Sequence, residues 1–227
     1  MQRRKFTSGV VSVGGLWALG AEAASLSEGD ATLGVRAALE RGAVVAVGLL
    51  GQSGGFLDNP KVRIPLPGFL NDAAQLLKLT GQQKHVDELV TAMNRAAEAA
   101  VPEAKALLVS AVKAMSVSDA TRLIRGGENS VTNFFAEKTR APLGVKFLPI
   151  VTQATEKVSL ADKYNRVAGK ASGFGLVKKE DANVQQYVTR KALDGLYLMI
   201  GEEERKIRAD PVGTGSAILG KVFGALK

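Results

Sequence analysis

Apolar side chains recur every three or four residues along most of the chain, which is the spacing of one face of an α-helix. From Asp30, a suitable N-cap residue, this pattern continues through Val35 and Leu39 to Leu50 and ends at Gly51. The run "AVVAVGLLG" within it is also compatible with a buried strand, but its length and periodicity favour a helix. We therefore expect an all-α fold, a multi-helix bundle of about eight to ten helices.

Prolines and glycines divide the following part of the chain into further predicted helices. These are residues 70–77, 86–100, 104–115 beyond Pro102, 119–125 with Ser118 as N-cap, one from Ser130 carrying Phe134 and Phe135, one beyond Pro142 bent at Pro149, and one from Ser159 through Tyr164. The stretch "SGFGLVKK" that follows is a loop.

The longest predicted helix lies near the C-terminus. It runs from Asp181 to about Ala209, roughly seven turns. Pro211, Gly213 and Gly215 then separate it from a last amphipathic helix, so that residues 210–227 form a hinge plus a terminal helix.

Between the first two helices lies a proline-rich segment, "GFLDNPKVRIPLPG", which we call the strap (residues 54–68, counting the preceding glycine). Its prolines favour an extended path with few amide donors to satisfy. Ile64 and Leu66 are apolar anchors for the core, and Arg63 beside them is predicted to turn inward. A buried arginine needs a carboxylate partner. The candidates are Glu98, Asp194, Glu203 and Glu204.

The first residues, "MQRRKFTSGVVSVGGLWALGAEAA", have the pattern of a cleavable export signal: a basic start, a short apolar stretch and small residues at Ala21 and Ala23. The signal spans residues 1–23 and is either twin-arginine-like or of the general secretory type. Residues 24–227 then form a single helical domain. We expect cleavage near Ala23, a periplasmic location and no transmembrane span in the mature chain.

The net charge is +8, but the lysines and arginines are scattered without a clustered stripe or interleaved aromatics, so nucleic acid is not an expected partner. The chain has no cysteine and one histidine, His85. Thiolate, histidine-triad and two-histidine metal sites are thereby excluded. We predict no catalytic residues, no metal site and no cofactor. An unknown small ligand or a component of the cell envelope is a possible partner, and the oligomeric state is open.

Polar residues next to the apolar stripes of two helices, together with Arg63, Lys138 and Asp194 that could meet them in the fold, are candidates for a polar cluster or a ligand-binding site. The full set is Arg63, Asn94, Glu98, Lys138, Asp194, Glu203, Glu204 and Arg208. For the glutamates of the long helix, the alternative is a row of surface ion pairs, Glu202 with Lys206 and Glu204 with Arg208, four residues apart.

Several segments together resemble a family of exported bacterial proteins that is known only as a domain of unknown function. They are "NPKVRIPLPG", "MNRAAEAAVPEAK", "TNFFAEKTRAPL", "YVTRKALDGLYLMIGEEERKIRADP" and "LGKVFG". The resemblance implies an all-helical protein and covers nearly all of residues 30–224. Members are often lipoproteins, whereas this chain lacks the lipoprotein cysteine. The family supplies no reaction.

Three functional hypotheses remain. The favoured one is an exported, non-catalytic protein with a structural or binding role. Whether the protein is an enzyme is left open, with the sequence features weighing against it. The alternatives are a histidine-free enzyme that uses carboxylates such as Glu98 with Glu203 or Glu204, and a peripheral envelope protein that binds anionic lipid. A binding protein predicts an apolar cavity, an enzyme predicts a concave site with an unpaired carboxylate, and a peripheral protein predicts exposed apolar residues between Ile218 and Leu226.

Overall fold

The structure, a computed structural model, describes residues 28–175, 177–178 and 181–210. This part of the chain contains eight α-helices, at the lower end of the predicted count, and no strand. They are α1 (Glu28–Leu50), α2 (Asn71–Leu79), α3 (Gln83–Ala100), α4 (Ala104–Lys113), α5 (Val117–Arg125), α6 (Ser130–Thr155), α7 (Ser159–Gly173) and α8 (Val184–Ala209). Short 3₁₀ turns occupy Gly68–Leu70 and Val101–Glu103. The predicted export signal and the predicted terminal helix after residue 210 lie outside the described residues.

The long helix α8 is at the centre of the bundle and packs against α1, α3 and α6. Apolar residues cover more than one of its faces, and Val188, Leu196 and Ile200 are almost completely buried. A helix that is apolar on several sides is enclosed by its neighbours. The sequence therefore identified the central element of the fold, and α8 begins three residues later than predicted, after Asn183, whose side chain accepts a hydrogen bond from Gln186 N at 2.7 Å.

One sequence-based boundary is wrong in α6. This helix is continuous for 26 residues, although Pro142 was expected to separate two helices. Pro142 and Pro149 are both exposed, as are Lys138 and Val145, the residues whose carbonyl groups lose their helical partners. Water can bind those carbonyl groups, so a proline on the solvent side of a well-packed helix does not end it.

Two helix starts also differ from the prediction. The N-cap of α5 is Ser116 and not Ser118: Ser116 Oγ accepts from Asp119 N at 3.1 Å, and Asp119 Oδ2 accepts from Ser116 N at 3.1 Å. This reciprocal pair is a capping box. Ser159 is the first residue of α7 and not its cap, and the helix extends to Gly173, well past Tyr164.

The strap packs directly on the backbone of α8. The extended path predicted for it holds only from residue 63 to residue 67. The earlier part forms hydrogen-bonded turns, with Asp58 N donating to Gly54 O at 3.1 Å and Val62 N to Asn59 O at 3.2 Å. Phe56, Val62 and Ile64 of the strap are buried in the main core. A Cβ atom at Gly195 of α8 would lie 2.8 Å from Cε1 of Phe56 and 3.3 Å from Cβ of Val62. Glycine at this position therefore allows the strap to approach the central helix.

We expect Gly195→Ala to lower the free energy of unfolding by about 1–3 kcal/mol, because the new methyl group overlaps Phe56. Gly48→Ala in α1 is the matched control, since nothing lies within 4 Å of a Cβ at that position. This control should be more stable than the parent by up to about 1 kcal/mol, from helix propensity alone. Urea denaturation of both variants measures the difference. A Gly195→Ala protein as stable as Gly48→Ala would show that the strap does not pack on α8.

Candidate functional site

The strap is held in place through its backbone, by polar side chains of α3. Glu98 has a side chain that is only 5% exposed, and its Oε1 accepts hydrogen bonds from Phe56 N and Leu57 N, each at 3.0 Å. Its Oε2 accepts from Arg95 Nη1 at 2.6 Å. Burial by itself raises the pKa of Glu98, but the hydrogen bonds from Leu57, Arg95 and Phe56 outweigh it and lower the pKa below its usual value.

The lowered pKa of Glu98 gives its contribution a defined pH dependence. A carboxyl group whose pKa is lower in the folded state than in the unfolded state contributes its full stabilisation at pH values above the unfolded-state pKa. This stabilisation is lost as the pH falls through the lowered value. The attachment of the strap to α3 is therefore complete near neutral pH and weakens in acid.

A second attachment comes from Asn94, which is fully buried. Its Oδ1 accepts from Ile64 N at 2.8 Å, and its Nδ2 donates to Ile64 O at 2.9 Å. The amide thus pairs with both backbone groups of one residue, as a neighbouring strand does in a sheet.

A third attachment comes from Tyr187 of α8, whose hydroxyl donates a hydrogen bond to Pro65 O at 2.9 Å. Burial, the largest effect, raises the pKa of Tyr187 to about 12, so the hydroxyl stays protonated and donates throughout the physiological range.

The predicted inward position of Arg63 is wrong. Its side chain is exposed, and it forms no ion pair with any carboxylate of the described residues. Val62 and Ile64 on either side are buried. Neighbouring side chains of an extended segment point to opposite sides, so two inward neighbours place Arg63 outward. The predicted anchors are confirmed, since Ile64 is buried and Leu66 is partly buried against the core.

The glutamates at the end of α8 have different surroundings. The Glu204 side chain is 2% exposed, and its Oε1 accepts from Arg208 Nη2 at 2.8 Å and Nε at 3.0 Å. Arg208 Nη2 also lies within hydrogen-bond distance of Ser130 Oγ, at 2.8 Å, and Leu123 O, at 3.0 Å. Glu204 is therefore buried, and with the partly buried Arg208 it joins α8 to Leu123 of α5 and Ser130 of α6. Ser130, predicted only as a helix start, is the member that sequence reasoning missed.

Of the two ion pairs predicted along α8, Glu204 with Arg208 is confirmed. Glu202 and Glu203 form ion pairs near the surface, and the partners of Glu202 differ from the one predicted. Glu203 binds Lys206 at 2.6 Å, and Glu202 binds Arg205 at 2.5 Å and Lys61 of the strap at 2.6 Å. The predicted pair of Glu202 with Lys206 is not formed. Pairs of this kind at the surface contribute less than about 1 kcal/mol each.

Asp194 belongs to a third group of charged residues between α6 and α8. It accepts from Arg140 Nη2 at 2.9 Å and from Arg190 Nη1 at 3.4 Å. Arg190 also binds Asp181 through Nη2 at 2.6 Å and Nε at 3.0 Å. Each arginine lies over an aromatic ring, Arg140 over that of Tyr197 and Arg190 over that of Tyr187, at 5.0 Å and 5.5 Å from the ring centres.

The eight candidate residues thus lie in different places and do not meet in one cluster. Asn94 and Glu98 hold the strap, Asp194 joins α6 to α8, and Glu204 with Arg208 lies ten residues farther along α8, about 15 Å away. Arg63 and Lys138 are exposed, and Lys138 pairs with Glu137 at 3.1 Å. In the described part of the chain, no group of three or more acidic or histidine side chains has a geometry that suits a metal ion.

An apolar cavity lies between the end of the strap, α2, α3 and α7, and it is about 260 Å³ in volume. Its lining is aliphatic apart from one tyrosine ring and one lysine: Leu66, Leu70, Ala74, Leu77, Val86, Leu89, Leu160, Lys163, Tyr164 and Val167. The Tyr164 hydroxyl donates to Asp181 O at 3.3 Å. Lys163 is exposed and forms no ion pair within the described residues. The cavity combines apolar walls with one available positive charge.

A much smaller cavity of about 20 Å³ lies beside Glu204, between α1 and α8. The second carboxylate oxygen, Oε2, is buried and has no hydrogen-bond partner among the described residues. This volume holds about one water molecule. An unpaired carboxylate oxygen is therefore present, as the enzyme hypothesis expects, but the space beside it does not admit a substrate.

We expect Glu98→Ala to lower the free energy of unfolding by about 3 kcal/mol or more, because two backbone N–H groups and Arg95 lose a charged acceptor. Glu98→Gln, which keeps one acceptor oxygen, should lie between the alanine variant and the parent. Arg63→Ala is the matched control on the strap and should change stability by less than about 0.5 kcal/mol. Chemical denaturation gives all three values. A larger loss for Arg63→Ala than for Glu98→Ala would mean that the strap is held by its side-chain charge.

The family model described as a protein of unknown function, DUF4197, matches residues 25–224. No curated protein and no solved structure matches the chain. Among the described residues, no helix has the length and apolar content needed to cross a membrane.

Proposed function

The chain belongs to the DUF4197 family of proteins of unknown function. We propose that it is an exported periplasmic protein that binds a small anionic amphiphile. The binding role is argued from the geometry, and export from the sequence of residues 1–23. The apolar part of this ligand occupies the cavity between α2, α3 and α7. The observation that carries the proposal is the cavity itself, about 260 Å³ with aliphatic walls.

The walls determine which part of a ligand enters. Ligand sites are typically concave and mostly apolar, with a few polar groups that orient the molecule. Apolar cavities of about 150 Å³ in other proteins stay dry and bind small apolar molecules. The cavity here is larger, and water inside it would find few polar partners. An apolar chain therefore gains more from entering it than water does.

Lys163 supplies the polar group that orients the ligand. It has no ion-pair partner among the described residues, and it is one of the residues that line the cavity. Lysine side chains commonly bury their methylene groups while the charged end stays at the surface. An anionic headgroup at the mouth of the cavity would meet this charge, which favours a carboxylate or phosphate ligand over a neutral one.

A catalytic role has weaker support. Both oxygens of Glu98 are occupied by the strap and Arg95, and Glu204 lies beside a space for about one water molecule. Neither carboxylate faces the apolar cavity. The residues from Ile218 to Leu226, on which a lipid-binding role depends, lie outside the described part of the chain.

We expect decanoate to bind the protein and Ala74→Trp to weaken that binding at least about tenfold, because the indole ring fills the cavity. Ala106→Trp on the exposed side of α4 is the matched control and should bind as the parent does. Lys163→Gln should weaken binding of decanoate but not of decanol. Isothermal titration calorimetry measures the affinities. Equal binding by the two tryptophan variants would rule out this cavity as the site.

Export is the second part of the proposal, and it follows from the signal-like pattern of residues 1–23. We expect the protein recovered from the periplasm of its bacterial host to begin at Ala24, after cleavage behind Ala23. N-terminal sequencing of that protein is the measurement. A protein that still begins at Met1, or that stays with the cytoplasmic fraction, would contradict export with cleavage at this position.

A further inference from the structure

Helix α7 packs on the bundle with one of its sides. Ala161, Tyr164 and Ala168, spaced three and four residues apart, are almost completely buried and belong to the main core. This side of α7 meets α3 and α8. The composition of the side that faces solvent decides what else the helix can bind.

An exposed stripe runs along α7 next to the buried side. Lys163, Arg166, Val167 and Lys170 are exposed, and with 3.6 residues per turn they fall within an arc of about 100°. Phe174, the C-cap residue of the helix, continues their spacing. Val167 is 50% exposed and Phe174 is 81% exposed. These five residues, which we call the α7 stripe, combine three cations with two exposed apolar side chains.

The three cations of the α7 stripe look scattered in the sequence, since three and four residues separate them. The helix brings them to one side, because positions three and four apart are neighbours on its surface. The expectation that the chain has no clustered basic stripe is therefore wrong for α7.

The charge of the α7 stripe is not neutralised by its surroundings. Lys163, Arg166 and Lys170 form no ion pair or hydrogen bond within the described residues. Asp162 is the only acidic residue between 159 and 174, and it lies at the edge of the stripe beside Arg166. On α8, by contrast, Lys206 is paired with a glutamate. The α7 stripe thus places free positive charges directly beside exposed apolar groups.

We propose that the α7 stripe docks the protein on the surface of an anionic phospholipid bilayer. The three cations lie against lipid phosphates, and Phe174 and Val167 enter the boundary between headgroups and acyl chains. Basic side chains together with exposed apolar ones are the combination that binds such a surface. Lysine stems can lie along the apolar boundary while their ammonium groups reach the phosphates.

The composition of the α7 stripe favours a bilayer over two other partners. Proteins that bind single-stranded nucleic acid stack successive bases on several aromatic rings, whereas the stripe has one ring, that of Phe174, at its end. A second copy of the chain would place one positive stripe against another across a two-fold axis, and like charges repel. A surface of phosphates with an apolar layer beneath it complements both parts of the stripe.

The α7 stripe is continuous with the apolar cavity, since Lys163 and Val167 also line the cavity. A bilayer that contacts the stripe therefore lies beside the cavity. Docking needs no ligand in the cavity, and the binding of decanoate needs no bilayer. The two proposals can therefore fail separately, and the lipid-binding hypothesis for residues 218–226 concerns a different segment.

The test follows the fluorescence of Phe174→Trp in the whole chain, after subtraction of the parent's emission. We expect vesicles of phosphatidylglycerol to shift this emission to shorter wavelength, and vesicles of phosphatidylcholine to have little effect. Replacing Lys163, Arg166 and Lys170 together by glutamine should raise the lipid concentration for the half-maximal shift about 100-fold, since each cation near an anionic surface strengthens binding about fivefold. Added salt should weaken binding of the unmodified stripe.

Two matched controls separate the α7 stripe from the general charge and from general exposure. Replacing Lys105, Lys113 and Arg125 together by glutamine removes the same charge from exposed positions of α4 and α5 and should leave the shift unchanged. Val145→Trp on α6, where the valine is 76% exposed, should show no shift.

The proposal is overturned if phosphatidylglycerol leaves the emission of Phe174→Trp unchanged, or if the two triple variants lose binding equally. Tighter binding of a DNA oligonucleotide than of phosphatidylglycerol vesicles would also overturn it and would assign the stripe to nucleic acid. A shift that grows with protein concentration in the absence of lipid would overturn it in favour of a second copy of the chain.

Discussion

The constraint on which the fold depends is that a non-helical segment crosses the core of a helical bundle. Buried backbone N–H and C=O groups must find partners, and a non-helical segment lacks the regular bonds of a helix. Turns within the strap pair some of its groups, such as Asp58 N with Gly54 O at 3.1 Å and Arg63 N with Asn59 O at 2.9 Å. The remaining groups need side-chain partners. Here α3 provides them: Glu98 accepts from Phe56 N and Leu57 N, and Asn94 binds both backbone groups of Ile64. Prolines at three positions reduce the number of donors that need a partner. The strap is thus attached by its backbone, which leaves its apolar side chains free to fill the core.

This attachment also shapes the apolar cavity. Leu66 and Leu70, which continue from the strap, form one wall of it, and α2 follows immediately in the chain. The opposite wall comes from α3 and α7. Because Glu98 and Asn94 position the strap relative to α3, the same side chains that satisfy its backbone also define the volume beside it. The proposed ligand site is therefore a consequence of how the strap is held, and a change at Glu98 would be felt there.

The bundle satisfies most of its buried polar groups and leaves a few without partners. The unsatisfied side-chain atoms in the described residues include Thr189 Oγ1 and Glu204 Oε2. Glu204 also lines the cavity of about 20 Å³ between α1 and α8. Such groups lower stability, so their position beside an open volume is informative about function. The cavity beside Glu204 has space for about one water molecule. The hydroxyl of Thr189 is buried in the bundle.

The sequence by itself determined the helices and their approximate limits, because helical periodicity and end signals are local properties. The prediction of α8 was accurate for this reason, and so was the choice of helix over strand for the run in α1. It also selected Asn94, Glu98 and Glu204 as polar residues beside apolar stripes, and all three are buried. The pair of Glu204 with Arg208, four residues apart, was also predictable from the sequence, and it forms. Tertiary structure decided the partners that are distant in the chain. Which backbone groups Glu98 accepts from, which way Arg63 points, and whether the prolines of α6 face water depend on residues far apart in the chain. Pairing across such distances follows from packing, and periodicity along the chain carries no information about it.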